Sequence, residues 1–175
     1  NLPVHDVICW NAFIAGCAQQ GQGYKALQAY RQMQNEGLSP DKITFLCVLS
    51  ACSHSGLLDE AEMVLRDMTG KYGISPNIEH QICMVITYGN AGHFDKAMLF
   101  IEEVPYSHRL HMLRTFLSAC QKSVNVELGR WAFECSLQLH GKSDSIYVCM
   151  SNIYAAADMH AKANKLEALR MKNEA

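Results

Sequence analysis

Apolar residues recur along this chain at helical spacing, in segments that short glycine-containing turns separate. The segment VICWNAFIAGCAQQ, which begins at Val7, places Trp10, Ile14 and Cys17 on one face of a helix. The sequence GQG then interrupts the pattern, and YKALQAYRQMQNE continues it with a second apolar face. The pattern therefore predicts two helices joined by a short turn.

A stop signal follows the second helix and occurs twice. The stretch GLSPD, which begins at Gly37, returns as GISPN, which begins at Gly73. Glycine favours the left-handed conformation that ends a helix, and the proline that follows cannot continue the helix. We therefore interpret each copy as the boundary between one helical hairpin and the next.

The hairpin itself is repeated along the whole sequence. A small residue follows each internal turn at intervals of 32 to 36 residues, at Ala26, Ala61, Ala97, Gly129 and Ala163. When the units are aligned on these small residues, three further sets of equivalent positions are mostly apolar, and we call each set a column. The columns are Trp10, Phe45, Gln81, Leu113 and Tyr147; Phe13, Val48, Met84, Phe116 and Met150; and Cys17, Cys52, Tyr88, Cys120 and Tyr154. One hairpin cannot bury its apolar face alone, so the pattern predicts an all-α solenoid of stacked hairpins.

Composition limits the functional classes. The chain has 175 residues, 49% of them hydrophobic, and a formal net charge of −2. It can bury a core, but it lacks the overall positive charge that would by itself indicate nucleic-acid binding. No apolar run is long enough to span a bilayer, so we expect no membrane association.

The eight cysteines do not form a metal-binding or disulfide motif. None of them belongs to a C-x-x-C sequence, and most lie among apolar residues in helical segments. We interpret them as small buried side chains in a reducing compartment, and we expect no metal and no cofactor.

The residues between these turns resemble a known repeat family. The sequence from Asp6 to Pro40 resembles a pentatricopeptide repeat of plant organellar proteins in which P, L and S repeat variants alternate. The stretches LSACQKSVNVELGRWAFE and SNIYAAA are similar to the paired E motifs that end such proteins. The resemblance implies a right-handed α-solenoid of stacked helix-turn-helix repeats.

The resemblance also implies a division of the chain. NLPVH is similar to the tail of a preceding repeat, so we expect the chain to begin within an array and to end inside its last motif. The expected segments are a repeat tail (1–5), a P-type repeat (6–40), an L-type repeat (41–76), an S-type repeat (77–109), an E1-like motif (110–143) and a truncated E2-like motif (144–175).

Several residues depart from the family pattern. Val124 and Asp158 occupy turn positions where glycine is expected, Gln81 stands where tyrosine is usual, and His160 replaces a tryptophan. The architecture tolerates these changes.

The family resemblance implies a site that recognises one base per repeat. In the first repeat it assigns this role to Asn11 together with Asp41, with a preference for uridine and then cytidine, and it places Ile8 against the plane of the base. An asparagine amide offers both a donor and an acceptor, and a carboxylate can fix the orientation of the amide. The alternative is a surface asparagine on one helix and an aspartate that caps the next.

The equivalent pairs in the other repeats have poorer chemistry for base recognition. Leu46 pairs with Asn77, and Ile82 pairs with Arg109, so the first helix offers only an apolar surface in each case. Asn77 is also expected to cap a helix. In the fourth unit Arg114 pairs with Ser143, and Arg114 has the alternatives of a phosphate contact or a solvated surface position.

No sequence motif indicates catalysis. Zinc deaminases need H-x-E and C-x-x-C motifs, and the chain has neither. Cys47, Cys52 and His54 fall on one predicted helix, where core packing of the cysteines and exposure of the histidine are the simpler interpretation. The chain is therefore predicted to have no enzymatic activity of its own.

Three functional hypotheses remain open. The first is an RNA-binding part of a mitochondrial or chloroplast C-to-U editing factor, whose E motifs recruit editing accessory proteins or a deaminase domain. The second is a helical scaffold for protein contacts in an organellar assembly. The third is an organellar factor for RNA processing or stability that binds without base preference.

Overall fold

The computed structural model describes residues 6–139 and 144–173. These residues form ten α-helices and no strand: α1 Val7–Gln19, α2 Gly23–Asn35, α3 Lys42–Ser55, α4 Leu58–Arg66, α5 Ile78–Asn90, α6 Phe94–Glu103, α7 Tyr106–Ser123, α8 Val126–Gln138, α9 Asp144–Ala156 and α10 His160–Asn173. Among the described residues, no helix combines the length and apolar character that a bilayer crossing requires.

Contacts group the chain into two compact units, one ending at Phe100 and one starting at Ile101. In the first unit α1 packs against α3, and α3 packs against α5, while α2 lies against both α1 and α3. Helix α4 contacts α3 and α5 in the same way. In the second unit α7 packs on α8 and α9, and α9 packs on α8 and α10.

The predicted repeat appears as one hydrogen-bonded turn that occurs five times. The N–H groups of Gln22, Leu57, His93, Asn125 and Met159 donate to the carbonyl oxygens of Cys17, Cys52, Tyr88, Cys120 and Tyr154 over 2.8–3.0 Å. The residue just before each donor is left-handed. Gly21, Gly56 and Gly92 take this conformation freely, whereas Val124 and Asp158 adopt it at φ 51° and 59°. The two departures from glycine thus strain the turns of the second unit.

The apolar columns form the core. Phe45, Val48 and Cys52 of α3 are fully buried, and the small residues Ala26 and Ala61 have no exposed surface. Two column members differ from this pattern, since Phe13 is 47% exposed and Gln81 is half-buried.

The cysteines are eight free thiols. Four of them are buried, three are half-buried, and Cys9 is exposed, which the expectation of buried side chains did not anticipate. Burial raises the pKa of Cys52 and of Cys120 to about 12, so these thiols stay protonated. No group of side chains suited to hold a metal occurs in the described part of the chain.

Some expected boundaries do not coincide with helix ends. Helix α7 begins at Tyr106, inside the segment assigned to the third repeat, and the division into compact units also falls inside that segment. The expected repeat tail at 1–5 and the junction at 140–143 lie outside the described residues.

A π-helical segment, Asp67–Lys71, follows α4 directly. The Tyr30 hydroxyl donates to Asp67 Oδ2 over 3.2 Å, and the Gln34 amide donates to the Tyr72 hydroxyl over 2.8 Å. These bonds attach the segment to α2. The helix caps on either side of this hairpin, Asp41 and Asn77, are 36 residues apart, one more than Asp6 and Asp41.

Helix α3 also contacts the turn between α1 and α2 through a serine. The Ser55 hydroxyl donates to the Gly21 carbonyl over 3.1 Å and accepts from the Gly23 N–H over 3.0 Å. A Cβ atom at position 23 would lie 2.5 Å from Ser55 Oγ. The absence of a side chain at Gly23 therefore permits the close approach of the two repeats.

We predict that Gly23→Ala lowers the free energy of unfolding by about 1–3 kcal/mol, because the added methyl group overpacks this contact. Gly16→Ala is the matched control, since no atom lies within 4 Å of a Cβ built there. That change should be neutral or stabilise the chain by up to about 1 kcal/mol, because alanine is the better helix former. Urea denaturation followed by circular dichroism measures both, and equal effects of the two variants would contradict the prediction.

Candidate nucleic-acid interface

Asp41 begins α3 and fixes its first turn. Its backbone is extended, its carboxylate Oδ1 accepts from the Thr44 N–H over 2.8 Å, and the Thr44 hydroxyl accepts from the Asp41 N–H over 3.1 Å. This reciprocal pair is a capping box, and it satisfies two donors at the helix start. The sequence DKIT, which begins at Asp41, has the required spacing of three residues.

Asn11 projects from α1 toward this helix start. Its Nδ2 donates to Asp41 Oδ1 over 3.1 Å, and its Oδ1 accepts from the Thr44 hydroxyl over 2.6 Å. Only 7% of Asn11 is exposed, so it is not the surface asparagine of the alternative interpretation. The structure thus brings the two predicted residues, Asn11 and Asp41, into direct contact across neighbouring repeats.

Asp41 is held in its charged form. Burial raises the pKa of this carboxyl, but the hydrogen bonds from the Thr44 N–H, the Asn11 amide and the Thr44 hydroxyl outweigh burial and leave the pKa below its ordinary value. The carboxylate can therefore only accept hydrogen bonds at neutral pH, which fixes Nδ2 as the side of the Asn11 amide that faces it.

Two isoleucines give the site an apolar surface. Ile8 on α1 is 75% exposed, and Ile43 on α3 is 59% exposed. The family resemblance implied a role for Ile8, and Ile43 was missed although it lies at the equivalent position 35 residues later. Exposed branched side chains, one on each of the two helices that carry the polar pair, can pack against the face of a planar ring.

The second pair, Leu46 and Asn77, differs from the first. Leu46 is half-buried in α3 and has no polar group. Asn77 caps α5, where its Oδ1 accepts from the His80 N–H over 3.2 Å, as the sequence predicted. The Asn77 side chain therefore serves its own helix.

His80 joins α5 to α3 at the interface between the second and third repeats. It is 1% exposed, its Nε2 lies 3.0 Å from the Lys42 carbonyl oxygen, and its Nδ1 is 3.3 Å from the Asn77 N–H, which donates to it. Nδ1 also contacts the Asn77 side-chain oxygen. Because the Lys42 carbonyl oxygen can only accept a hydrogen bond, the proton of the neutral ring is assigned to Nε2. Burial lowers the pKa of His80, against the opposing effect of the Lys42 carbonyl. A neutral imidazole therefore links α5 to α3.

The positions assigned in the third and fourth repeats have other surroundings where the structure describes them. Ile82 is half-buried in α5. Arg109 Nε donates to the Val104 carbonyl over 2.8 Å, and its Nη2 donates to the Glu102 carbonyl, so the guanidinium caps the end of α6. Arg114 is exposed, and its assigned partner Ser143 lies outside the described residues.

Two protein-family models match the first part of the chain. A model of the PPR repeat family matches residues 5–54, and a PPR repeat model matches residues 43–72. A pentatricopeptide repeat-containing protein of Arabidopsis thaliana is 43% identical over 156 residues, which are 89% of this chain and 16% of that protein. A second protein of this kind from the same plant is 39% identical over 99% of this chain and 18% of its own length. The chain thus spans about a sixth of the length of these relatives.

Solved structures show the same fold. The crystal structure of the pentatricopeptide repeat protein PPR10 in complex with an 18-nucleotide psaJ RNA element has a TM-score of 0.69 and 22% identity, over 96% of this chain and 25% of that one. PPR10 from maize in a second crystal structure gives a TM-score of 0.67 and 24% identity, over 92% and 23%. These matches confirm the predicted fold class, an all-α solenoid of helix-turn-helix repeats.

The buried imidazole of His80 predicts a pH dependence of stability. A folded-state pKa below the unfolded value of about 6.5 means that the unfolded chain takes up the proton first as the pH falls. The contribution of His80 to stability is therefore complete above about pH 6.5 and is lost as the pH falls from there toward the folded pKa.

We expect the free energy of unfolding to fall less steeply between about pH 7 and about pH 5 in His80→Gln than in the original chain. Glutamine does not titrate, and its amide can still donate to the Lys42 carbonyl. His93→Gln, at an exposed turn position, is the control and should keep the original slope. An unchanged slope in His80→Gln would contradict the assigned state of His80.

Proposed function

This chain is a pentatricopeptide repeat protein, and on that premise we propose that it binds single-stranded RNA through the face that carries Asn11 and Asp41. The observation that supports the proposal is the hydrogen bond between these two side chains, on helices that also expose Ile8 and Ile43. The related PPR10 was crystallised with an RNA element bound, which favours the same class of ligand here.

The site has the chemistry that recognition of one unpaired base requires. The Asn11 amide has a second hydrogen and a second lone pair beyond those given to Asp41 and Thr44, and either of these can form a hydrogen bond with the edge of a base. Ile8 and Ile43 supply apolar surface for its faces. We assign uridine as the preferred base and cytidine as the second choice, as the family resemblance implies.

The wider role that we propose is in organellar C-to-U RNA editing. The chain would bind the transcript 5′ of a target cytidine, in a mitochondrion or a chloroplast. The E-like segments at 110–143 and 144–175 would recruit editing accessory proteins or position a deaminase domain, which a partner or another part of the same protein would supply. The resemblance of NVELG and SNIYAAA to E motifs supports this assignment.

We predict that the chain binds short oligouridine more tightly than oligoadenosine of equal length, and that Asn11→Ala removes this preference. The loss should amount to about 1–3 kcal/mol of discrimination, the range of a good base-edge contact. Fluorescence anisotropy measures binding, and circular dichroism checks that the variant is folded. Asn152→Ala, an exposed asparagine on α9, is the control and should keep the preference. Equal binding of both RNAs by the original chain would overturn the assigned base.

A protein scaffold is the second candidate function, and one observation favours it. Leu46 has no polar group for a base, Asn77 caps its own helix, and Arg109 caps the end of α6, so these positions do not repeat the geometry of the first pair. A scaffold would form a protein complex that survives ribonuclease. The third possibility, a processing or stability factor, would bind RNA with a steep salt dependence and no base preference.

A further inference from the structure

Three distances show which side of the planar Asn11 amide its two hydrogen-bond partners occupy. Asp41 Oδ1 lies 3.1 Å from Asn11 Nδ2, and Thr44 Oγ1 lies 2.6 Å from Asn11 Oδ1. The two contacting oxygens are themselves only 3.0 Å apart. The oxygen and nitrogen of a primary amide are separated by about 2.2 Å, a distance that follows from the amide bond lengths.

These distances place both partners on the same edge of the amide. On the edge that faces away from Cβ, one N–H bond and one oxygen lone pair are parallel, so their partners lie close together. The other hydrogen and the other lone pair diverge, and their partners would lie on opposite sides of the group. A separation of 3.0 Å is compatible only with the first arrangement. The α3 capping box therefore occupies the paired edge of Asn11.

The occupied edge restricts how a base can bind. The free hydrogen and the free lone pair of the amide point in different directions, whereas adjacent donors and acceptors on a base edge are parallel. One base therefore cannot engage both free groups at once. Asn11 meets a base through a single hydrogen bond, and the orientation of the amide sets the direction of that bond.

Thr44 completes the fixation of the amide. The hydroxyl has one hydrogen, and the shorter of its two acceptor distances is the 2.6 Å to Asn11 Oδ1. With Asp41 alone, the planar group could swing about its one hydrogen bond. With Thr44 added, both ends of the amide are held, and Thr44 is fully buried, so its own position is fixed by packing.

We propose that Thr44 is a positioning residue for base recognition, which acts by holding the Asn11 amide in the orientation that presents its single free hydrogen and lone pair to RNA. The inference rests on the proposed RNA-binding function. The following interface does not repeat the arrangement, since His80, the residue in the position of Thr44, meets the Lys42 backbone carbonyl, and Leu46 stands in the position of Asn11.

The first experiment tests the positioning without RNA. Nuclear magnetic resonance of the ¹⁵N-labelled chain detects the two Asn11 side-chain amide hydrogens, which Asn11→Ala identifies by their loss. Thr44→Val keeps the shape of the side chain but removes the hydroxyl, and it should shift these signals and speed their exchange with solvent. Thr44→Ser restores the hydroxyl and should return the original spectrum. Unshifted signals in Thr44→Val would overturn the proposal.

The second experiment measures the consequence for RNA. In anisotropy titrations with oligouridine and oligoadenosine, Thr44→Val should reduce the ratio of the two affinities by about threefold to tenfold, the effect of one neutral hydrogen bond. Thr44→Ser should keep the ratio. Thr115→Val is the matched control, because the Thr115 hydroxyl bonds only the His111 carbonyl of its own helix.

The two experiments separate the proposal from the function on which it rests. If the original chain shows no base preference while Thr44→Val still shifts the Asn11 signals, the proposed base recognition fails but the positioning contact stands. If the original chain prefers uridine and Thr44→Val retains or strengthens that preference, the positioning role is wrong. Circular dichroism of every variant shows whether a loss reflects unfolding.

Discussion

In the first unit, the packing of α3 onto α1 and of α5 onto α3 depends on the first turn of the later helix. At the start of α3, Asp41 and Thr44 satisfy each other's backbone donors and also hold Asn11 of α1. At the start of α5, Asn77 and His80 form the same reciprocal pair, and His80 reaches the Lys42 carbonyl of α3. The residues that begin a helix therefore also join it to its neighbour, so a change at these positions alters both local and tertiary structure.

The same junction has different chemistry in the two interfaces. Where α1 supplies a polar amide, the cap of α3 becomes part of a candidate site with an ionised carboxylate and two exposed isoleucines. Where α3 supplies Leu46, His80 in the first turn of α5 contacts the Lys42 backbone carbonyl instead of a side-chain amide. The side chain on the earlier helix, Asn11 on α1 or Leu46 on α3, thus determines whether the place where two first helices meet offers a polar group to a ligand.

Sequence periodicity was sufficient to predict the helical hairpins and most of the core, because the equivalent positions of each unit are buried in the same way. The left-handed ends of two hairpins, at Gly37 and Gly73, followed from the glycines themselves. The pairing of Asn11 with Asp41 followed from the family resemblance, and the cap at Asn77 from its residue type. The roles of Thr44 and Ile43 were missed, since a threonine in a first turn and an isoleucine on a helix have many interpretations until a neighbour is placed beside them. The start of α7 at Tyr106 was also not predicted, because the sequence before it has no clear capping residue.

The π-helical segment after α4 has a consequence for how such chains vary in length. A π-turn holds one more residue than the α-turn it replaces, so it can absorb a single-residue insertion without unwinding the helix. Here the extra residue of the second hairpin is taken up on the second helix, beside α2 and away from the capped starts of α3 and α5. A one-residue change in the length of this segment would therefore leave the first turns of α3 and α5, and the contacts that they make with the preceding helices, in place.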